Sequence, residues 1–166
     1  MDILKASLDW AKGEVFSSLF FVLFALIFLF ASLAFWQLSK TDLAKAYIIP
    51  TLVAGSLLLI IGLGLLYNYQ SKITNFPIAY HEDALKFMES ELAYVNKTLS
   101  VYKNIVFTVI PIIIAFSAII IIFVDSYVGR ASLITTIALM AILLLFDGTA
   151  SARLVEYKEV LLLAMK

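Results

Sequence analysis

The fold is decided by an uncharged run of 24 residues, Val15–Leu38, with the sequence VFSSLFFVLFALIFLFASLAFWQL. A helix needs about 20 mostly apolar residues to cross a hydrocarbon core that is roughly 30 Å thick. The run is longer than the apolar core of a secretion signal, and the mixed acidic and basic residues before it are unlike a signal peptide's positive start. We therefore interpret this run as a membrane-spanning helix that is retained.

Three more apolar runs follow, and we interpret each as a helix because lipid offers backbone groups no hydrogen-bond partner. The fourth run is the shortest, with 16 uncharged residues before Asp147. We expect an all-α polytopic membrane protein in which 1–166 forms one membrane domain. Its predicted spans are 15–38, 46–66, 105–125 and 131–152.

The composition excludes several other classes of protein. Hydrophobic residues make up 63% of the chain and charged residues 14%, whereas a soluble domain has about 45–50% and 25%. Twelve basic residues balance twelve acidic ones, so no net charge attracts a nucleic acid. The chain has no cysteine, one histidine and no nucleotide-binding, zinc-protease or hydrolase motif. We expect no enzymatic activity, cofactor or metal.

Lysine and arginine positions predict the orientation, because cytoplasmic loops carry an excess of both. With both termini in the cytoplasm, nine basic residues fall on that side and three fall outside. The prediction is a multi-pass protein of the cell (inner) membrane with cytoplasmic N- and C-termini. The three outside are Lys40, Lys45 and Arg130.

A cytoplasmic stalk helix is predicted for 77–104, because Pro77 suits a first helical turn. Beyond it, apolar residues recur in steps of three and four, which is the spacing of a helical interaction seam. The same phase continues into the third span and predicts one helix up to Asp125. The seam residues are Leu85, Met88, Leu92, Val95, Leu99 and Tyr102.

An apolar seam on a water-exposed helix needs something to cover it. Apolar residues at helical spacing in the tail 153–166, which we expect to continue the fourth span, offer one cover, and the N-terminal segment offers another. A second copy of the chain, a foreign protein and the membrane surface remain open, because the tail is shorter than the stalk.

Polar residues in the fourth span define the candidate functional site. Asp147 falls at the inner membrane boundary, where a carboxylate needs a cation or several donors, and Arg153 is a candidate partner. Thr135 and Thr136 lie farther up the same helix. The alternatives are a structural ion pair, a carboxylate that handles protons or cations, and a contact with a partner.

Proline and glycine mark three further positions in the spans. Pro111 cannot bond to the carbonyl of Phe107 and predicts a kink, which is either structural or a gating hinge. Gly55 and Gly62 lie seven residues apart on one helix face, and this predicts close helix packing, with a hinge as the alternative.

These features favour a non-catalytic membrane interaction protein, either an assembly or accessory subunit or an immunity factor against a membrane toxin. Its expected partners are membrane lipid and either a second copy or another membrane or cytoplasmic protein, but no nucleic acid. The alternative is a small homo-oligomeric channel whose inner mouth is lined by Asp147 and the polar residues of the fourth span. A secondary transporter ranks below both, because no repeat or central buried charge is visible.

Overall fold

A computed structural model describes residues 3–166, and Met1 and Asp2, at the start of the predicted N-terminal segment, lie outside the described residues. The described chain is helical, with short connections and no strand within 3–166. Its elements are α1 (Ile3–Leu38), α2 (Asp42–Lys45), α3 (Ile48–Glu82), α4 (Ala84–Val101), a π-helical segment (Tyr102–Val109), α5 (Ile110–Phe123) and α6 (Tyr127–Ala164).

Four helical stretches of residues 3–166 are long and apolar enough to cross a membrane. The shortest has 36 residues and measures about 54 Å at 1.5 Å per residue, well beyond the roughly 30 Å of a hydrocarbon core. Each stretch therefore has an apolar part and an overhang.

The overhangs all lie at one end of the bundle, because successive long helices run in opposite directions. We call 3–14, 67–104 and 153–164 the polar half, and 15–38, 48–66, 105–123 and 131–152 the apolar half. The two halves are packed differently.

In the apolar half, α1 and α3 pack against each other along most of their length. Two glycines of α3 permit this approach. A Cβ at Gly55 would lie 2.9 Å from Cγ of Leu29, and one at Gly62 would lie 3.0 Å from Cβ of Phe21. Larger residues there would force the helices apart. Both glycines therefore lie at a close helix contact, as their spacing predicts.

Helix α5 is the least covered element of the apolar half. It packs against α6 and makes at most slight contact with α1 or α3. Only Ile110 and Ser117 of α5 are buried. In the apolar half, α3 and α5 are therefore not packed against each other. In the polar half, one apolar core joins the helices.

The predicted start of the stalk at Pro77 is wrong. Pro77 lies inside α3, which continues to Glu82, and the chain reverses one residue later. Asp83 has an extended backbone, and its carboxylate accepts a hydrogen bond from the backbone N–H of Lys86 at 3.0 Å, so it caps α4. The reversal joins α3 and α4 as an antiparallel helical hairpin.

Beyond Asp83, the helix continues to Phe123 without an interruption, but its winding changes before Pro111. The N–H of Ile110 bonds to the carbonyl of Ile105, five residues back. The side-chain hydroxyl of Thr108 donates to the carbonyl of Lys103, also five residues back, at 3.0 Å. A proline lacks the backbone N–H that continues α-helical bonding. The π-helical turns end just before Pro111, the residue at which the sequence predicts a kink.

Helix α6 joins the fourth predicted span to the tail, because it runs from Tyr127 to Ala164 as one element. The hydroxyl of Ser126 accepts a hydrogen bond from the N–H of Gly129 at 3.3 Å and caps its start. The fourth predicted span therefore continues into the tail as one helix, as predicted.

Candidate functional site

The buried face of α4 differs from the predicted seam. It consists of Phe87, Glu91 and Val95, four residues apart, whereas Leu85 is 61% exposed. The other predicted seam residues, Met88, Leu92, Leu99 and Tyr102, are half-buried at the edges of this face. Val95 belongs to both the predicted seam and the buried face, whereas Glu91 is a charged residue that apolar periodicity leaves out.

Glu91 is buried because Lys72 of α3 neutralises it. The ammonium of Lys72 donates to both carboxylate oxygens, at 3.1 and 3.3 Å. It also lies 3.5 Å from the centre of the Tyr94 ring and 5.2 Å from that of Trp10, within the range of cation–π attraction. This ion pair fastens the two arms of the α3–α4 hairpin.

Trp10 is the centre of the aromatic packing in the polar half. Its ring stacks on Tyr157 of α6 with 4.8 Å between centres and meets Tyr69 of α3 edge-on at 5.7 Å. The Tyr157 hydroxyl donates to Oγ of Ser7 at 2.8 Å and lies 3.5 Å from Oε2 of Glu91. These contacts connect α1, α3, α4 and α6.

A second ion pair connects α1 to α6 where the polar half meets the apolar half. Nε of Arg153 donates to Oε1 of Glu14 at 3.0 Å, and its Nη2 donates to Oγ of Ser17 at 2.7 Å. Glu14 is only 4% exposed. Because a buried carboxylate needs such a partner, the Arg153 guanidinium fixes the relative positions of the two helices.

Burial changes the proton affinities of these groups. It raises the pKa of the Glu14 carboxyl above its ordinary value of 4.5, although the hydrogen bond and charge of Arg153 oppose the change. Burial lowers the pKa of the Lys72 ammonium, against the opposing effect of Glu91. It also raises the pKa of the Tyr157 phenol. In each case desolvation of the charged form is the largest cause.

The structure does not pair Asp147 with Arg153, since Arg153 is bound to Glu14. Asp147 is half-buried and makes no ion pair within residues 3–166. Thr135 is buried and Thr136 is half-buried, and both line a cleft between α3 and α6. The four predicted polar residues therefore do not form one site: Thr135 and Thr136 share a cleft, and Asp147 and Arg153 lie apart from it.

Sequence reasoning missed the burial of Glu14 and Glu91 and the partial burial of Lys72. All three are charged, and charged residues are typical of a solvated surface. Their burial depends on partners 19 residues away for Lys72 and 139 away for Glu14. The one local signal was the phase of α4, because Glu91 lies four residues from both Phe87 and Val95.

The polar half thus forms a core in which the buried charges are paired, although the indole N–H of Trp10 is buried without a hydrogen-bond partner within residues 3–166. Across residues 3–166, no group of three histidine, aspartate or glutamate side chains is placed to hold a metal ion. Comparison with protein-family models, with curated proteins and with solved structures finds no match to this chain.

Proposed function

We propose that the protein is a non-catalytic membrane interaction protein, with four spans in the cell (inner) membrane and a cytoplasmic four-helix end that binds a partner protein. The observation that carries this proposal is the exposure of three large apolar side chains near the far end of the polar half. There Ile78, Leu85 and Leu163 are 63%, 61% and 63% exposed. We call these three residues the apolar tip.

The apolar tip lies beyond the reach of the bilayer. Ile78 is 12 residues past the predicted end of the second span at residue 66, about 18 Å along a helix. Lipid does not cover side chains at that distance. Beside the tip, Ile3, Tyr80, Met88 and Val160 line a groove with Leu163. Large exposed apolar patches in water commonly mark protein–protein contacts.

The polar half is well suited to hold such a surface rigidly. Its interior is filled by Trp10, Tyr157 and Leu161, and its buried charges are paired with one another. A recognition surface on rigid elements binds without a large ordering cost. The excess of lysine and arginine in this half supports its placement in the cytoplasm.

Purification of the tagged full-length chain from its native membranes tests the proposal. A partner protein should co-purify with the wild type and be lost with Leu85→Asp, which places a charge in the apolar tip. The control Asn96→Asp adds the same charge at another exposed position of α4 and should retain the partner. Equal recovery with both variants, when both keep the wild-type melting temperature, would contradict the proposal.

A channel formed by several copies is the second candidate, and Asp147 is the observation that favours it. A half-buried carboxylate without an ion pair within 3–166 is suited to an acidic ring at a pore mouth. Thr135, in contrast, is buried within one chain and is not free to line a shared pore. We expect liposomes containing the purified protein to show no ion flux above empty liposomes. Flux that Asp147→Asn abolishes would establish the channel instead.

A further inference from the structure

The outward face of α3 in the polar half carries no charged side chain. Between residues 67 and 80, every exposed residue is uncharged, and the one charged residue of this stretch, Lys72, is turned inward to Glu91. In contrast, the exposed residues of α1 within 3–14 are all charged, namely Lys5, Asp9 and Lys12. Charged residues are depleted at the centre of protein interfaces, and tyrosine is enriched there. The outward face of α3 therefore has the composition of an interface.

This face contains a shallow groove of about 300 Å³ that is formed by α3 alone. Four of its lining residues lie at positions i, i+3, i+4 and i+7 of the helix. Four residues in this arrangement form the hole that receives one knob side chain in a coiled coil. We call the lining the α3 groove, and it consists of Tyr67, Gln70, Ser71, Thr74 and Asn75.

The chemistry of the α3 groove is complementary to itself. Side-chain amides and hydroxyls both donate and accept hydrogen bonds, so each can pair with the same residue of another copy. The side-chain amide of Gln70 makes no hydrogen bond within residues 3–166, and that of Asn75 donates to Oγ of Ser71 at 3.1 Å. A charged groove would instead repel its own copy and favour a partner of opposite charge.

We propose that two copies of the chain pair through the α3 groove, with Ser71 of each copy inserted into the groove of the other. This inference rests on the bilayer insertion proposed above but not on the partner protein or the apolar tip. Copies inserted in one membrane share an orientation, so a two-fold axis along the membrane normal places equivalent residues opposite each other. The two α3 helices are then parallel and in register.

The positions of the lining residues fit a parallel pair. With Ser71 at an a position, Tyr67 and Thr74 both fall at d positions. In a parallel, in-register pair, the hole for an a-position knob is formed by the preceding d and g residues, the opposite a residue and the following d residue. For Ser71 these are residues 67, 70, 71 and 74, which are the residues that line the groove.

The same stripe of α3 continues toward the membrane. Ile60, seven residues before Tyr67, is 69% exposed, and 60–74 measures about 21 Å at 1.5 Å per residue. Parallel helices of this kind cross at about 20° and stay in contact over several turns. The small side chain of Ser71 at the crossing lets the two backbones approach closely.

The other large exposed face, that of α5, does not favour a second copy in the same way. Its exposed residues are apolar, as in Ile112, Phe116 and Ile120, and it lies in the apolar half. Lipid tails cover such side chains as well as another helix does. The α3 groove lies outside the hydrocarbon core, where its amides and hydroxyls can add directional hydrogen bonds between copies.

Disulfide cross-linking in isolated native membranes tests the pairing. The chain has no native cysteine, so Ser71→Cys introduces a single thiol at the proposed axis, and mild oxidation should yield a disulfide-linked dimer. Asn96→Cys is the matched control at an exposed polar position of α4 and should stay monomeric. No dimer from Ser71→Cys, or equal dimer from both variants, would overturn the proposal.

Co-purification of two differently tagged copies, expressed together, tests the self-complementary chemistry. Wild-type copies should recover each other. Ser71→Lys in both copies should lower this recovery about tenfold or more, because it places two ammonium groups opposite each other. Asn96→Lys adds the same charge outside the groove and should recover like the wild type. Equal recovery with the two variants would overturn the proposal.

A charge swap separates lost pairing from misfolding. Ser71→Glu in both copies should also lose recovery, whereas a copy with Ser71→Lys expressed with a copy carrying Ser71→Glu should regain it, because opposite charges then face each other across the axis. Restored recovery would show that both variants fold. A mixed pair that recovers no better than either variant alone would overturn the proposal.

The variant Leu85→Asp keeps this test independent of the partner protein. It changes the apolar tip and leaves the α3 groove intact, so its tagged copies should recover each other as the wild type does, even where the partner protein is lost. Loss of self-association with Leu85→Asp but not with Ser71→Lys would place the contact between copies at the apolar tip and overturn the proposal.

Discussion

At the scale of single residues, four charged side chains join the helices of the polar half in two ion pairs. Glu14 pairs with Arg153, and Lys72 pairs with Glu91. A buried ion pair contributes little relative to apolar residues of the same shape, but removal of one member leaves an uncompensated charge. These residues therefore specify which helices pack together more than they add to stability.

Arg153→Leu should destabilise the protein more than replacement of the whole pair. The single variant leaves the Glu14 carboxylate buried without a counter-ion and should cost about 3 kcal/mol of unfolding free energy. Glu14→Leu combined with Arg153→Leu should recover part of this loss. Denaturant unfolding in detergent, followed by tryptophan fluorescence, measures all three proteins. A double variant no more stable than Arg153→Leu would contradict this account.

The raised pKa of Glu14 predicts a pH dependence of stability. The folded chain holds the Glu14 proton more tightly than the unfolded chain, whose carboxyl has its ordinary pKa of 4.5. The contribution of this group is therefore complete below pH 4.5 and is lost as the pH rises through the higher pKa of the folded state. Melting temperatures across this range should fall more steeply for the wild type than for Glu14→Gln.

Asp9→Asn is the matched control for this pH series, because Asp9 is an exposed acid on the same helix. It should leave the slope of the wild type unchanged. Parallel profiles for the wild type and Glu14→Gln would show that Glu14 is not the group responsible.

At the scale of elements, the sequence predicts the four apolar helices well because each contains a long run of uniformly apolar composition. It fails at the hairpin. Pro77 has the signal of a helix start, yet α3 continues through it, and the N-cap residue Asp83 marks the actual reversal. The phase of α4 fails for a related reason, because the burial of Glu91 depends on Lys72 across the hairpin.

The contact between α1 and α3 predicts different tolerance at two neighbouring glycines. Gly62→Leu places its Cβ about 3.0 Å from Cβ of Phe21 and Cγ2 of Val22 and should cost about 1–3 kcal/mol by overpacking. Gly64→Leu is the control, because no heavy atom lies within 4 Å of its Cβ, and it should be nearly neutral. Thermal unfolding in detergent compares the two, and equal loss in both would exclude a close contact at Gly62.

At the scale of the whole molecule, the described chain combines a closed end with an open end. The polar half is held by ion pairs and aromatic stacking among α1, α3, α4 and α6, whereas the apolar half leaves α5 attached to α6 alone. Composition and apolar periodicity predict the spans and their overhangs. They do not predict which charges pair or that α5 packs against α6 rather than α3, because both depend on contacts between distant parts of the chain.

Cysteine accessibility in intact cells tests the central claim that the four helices span the membrane and that the polar half lies in the cytoplasm. Because the chain has no native cysteine, Lys97→Cys reports on the polar half and Thr41→Cys reports on the turn after α1. A membrane-impermeant maleimide should label Thr41→Cys in intact cells and should label Lys97→Cys only after the cells are permeabilised. Labelling of Lys97→Cys in intact cells would contradict the account.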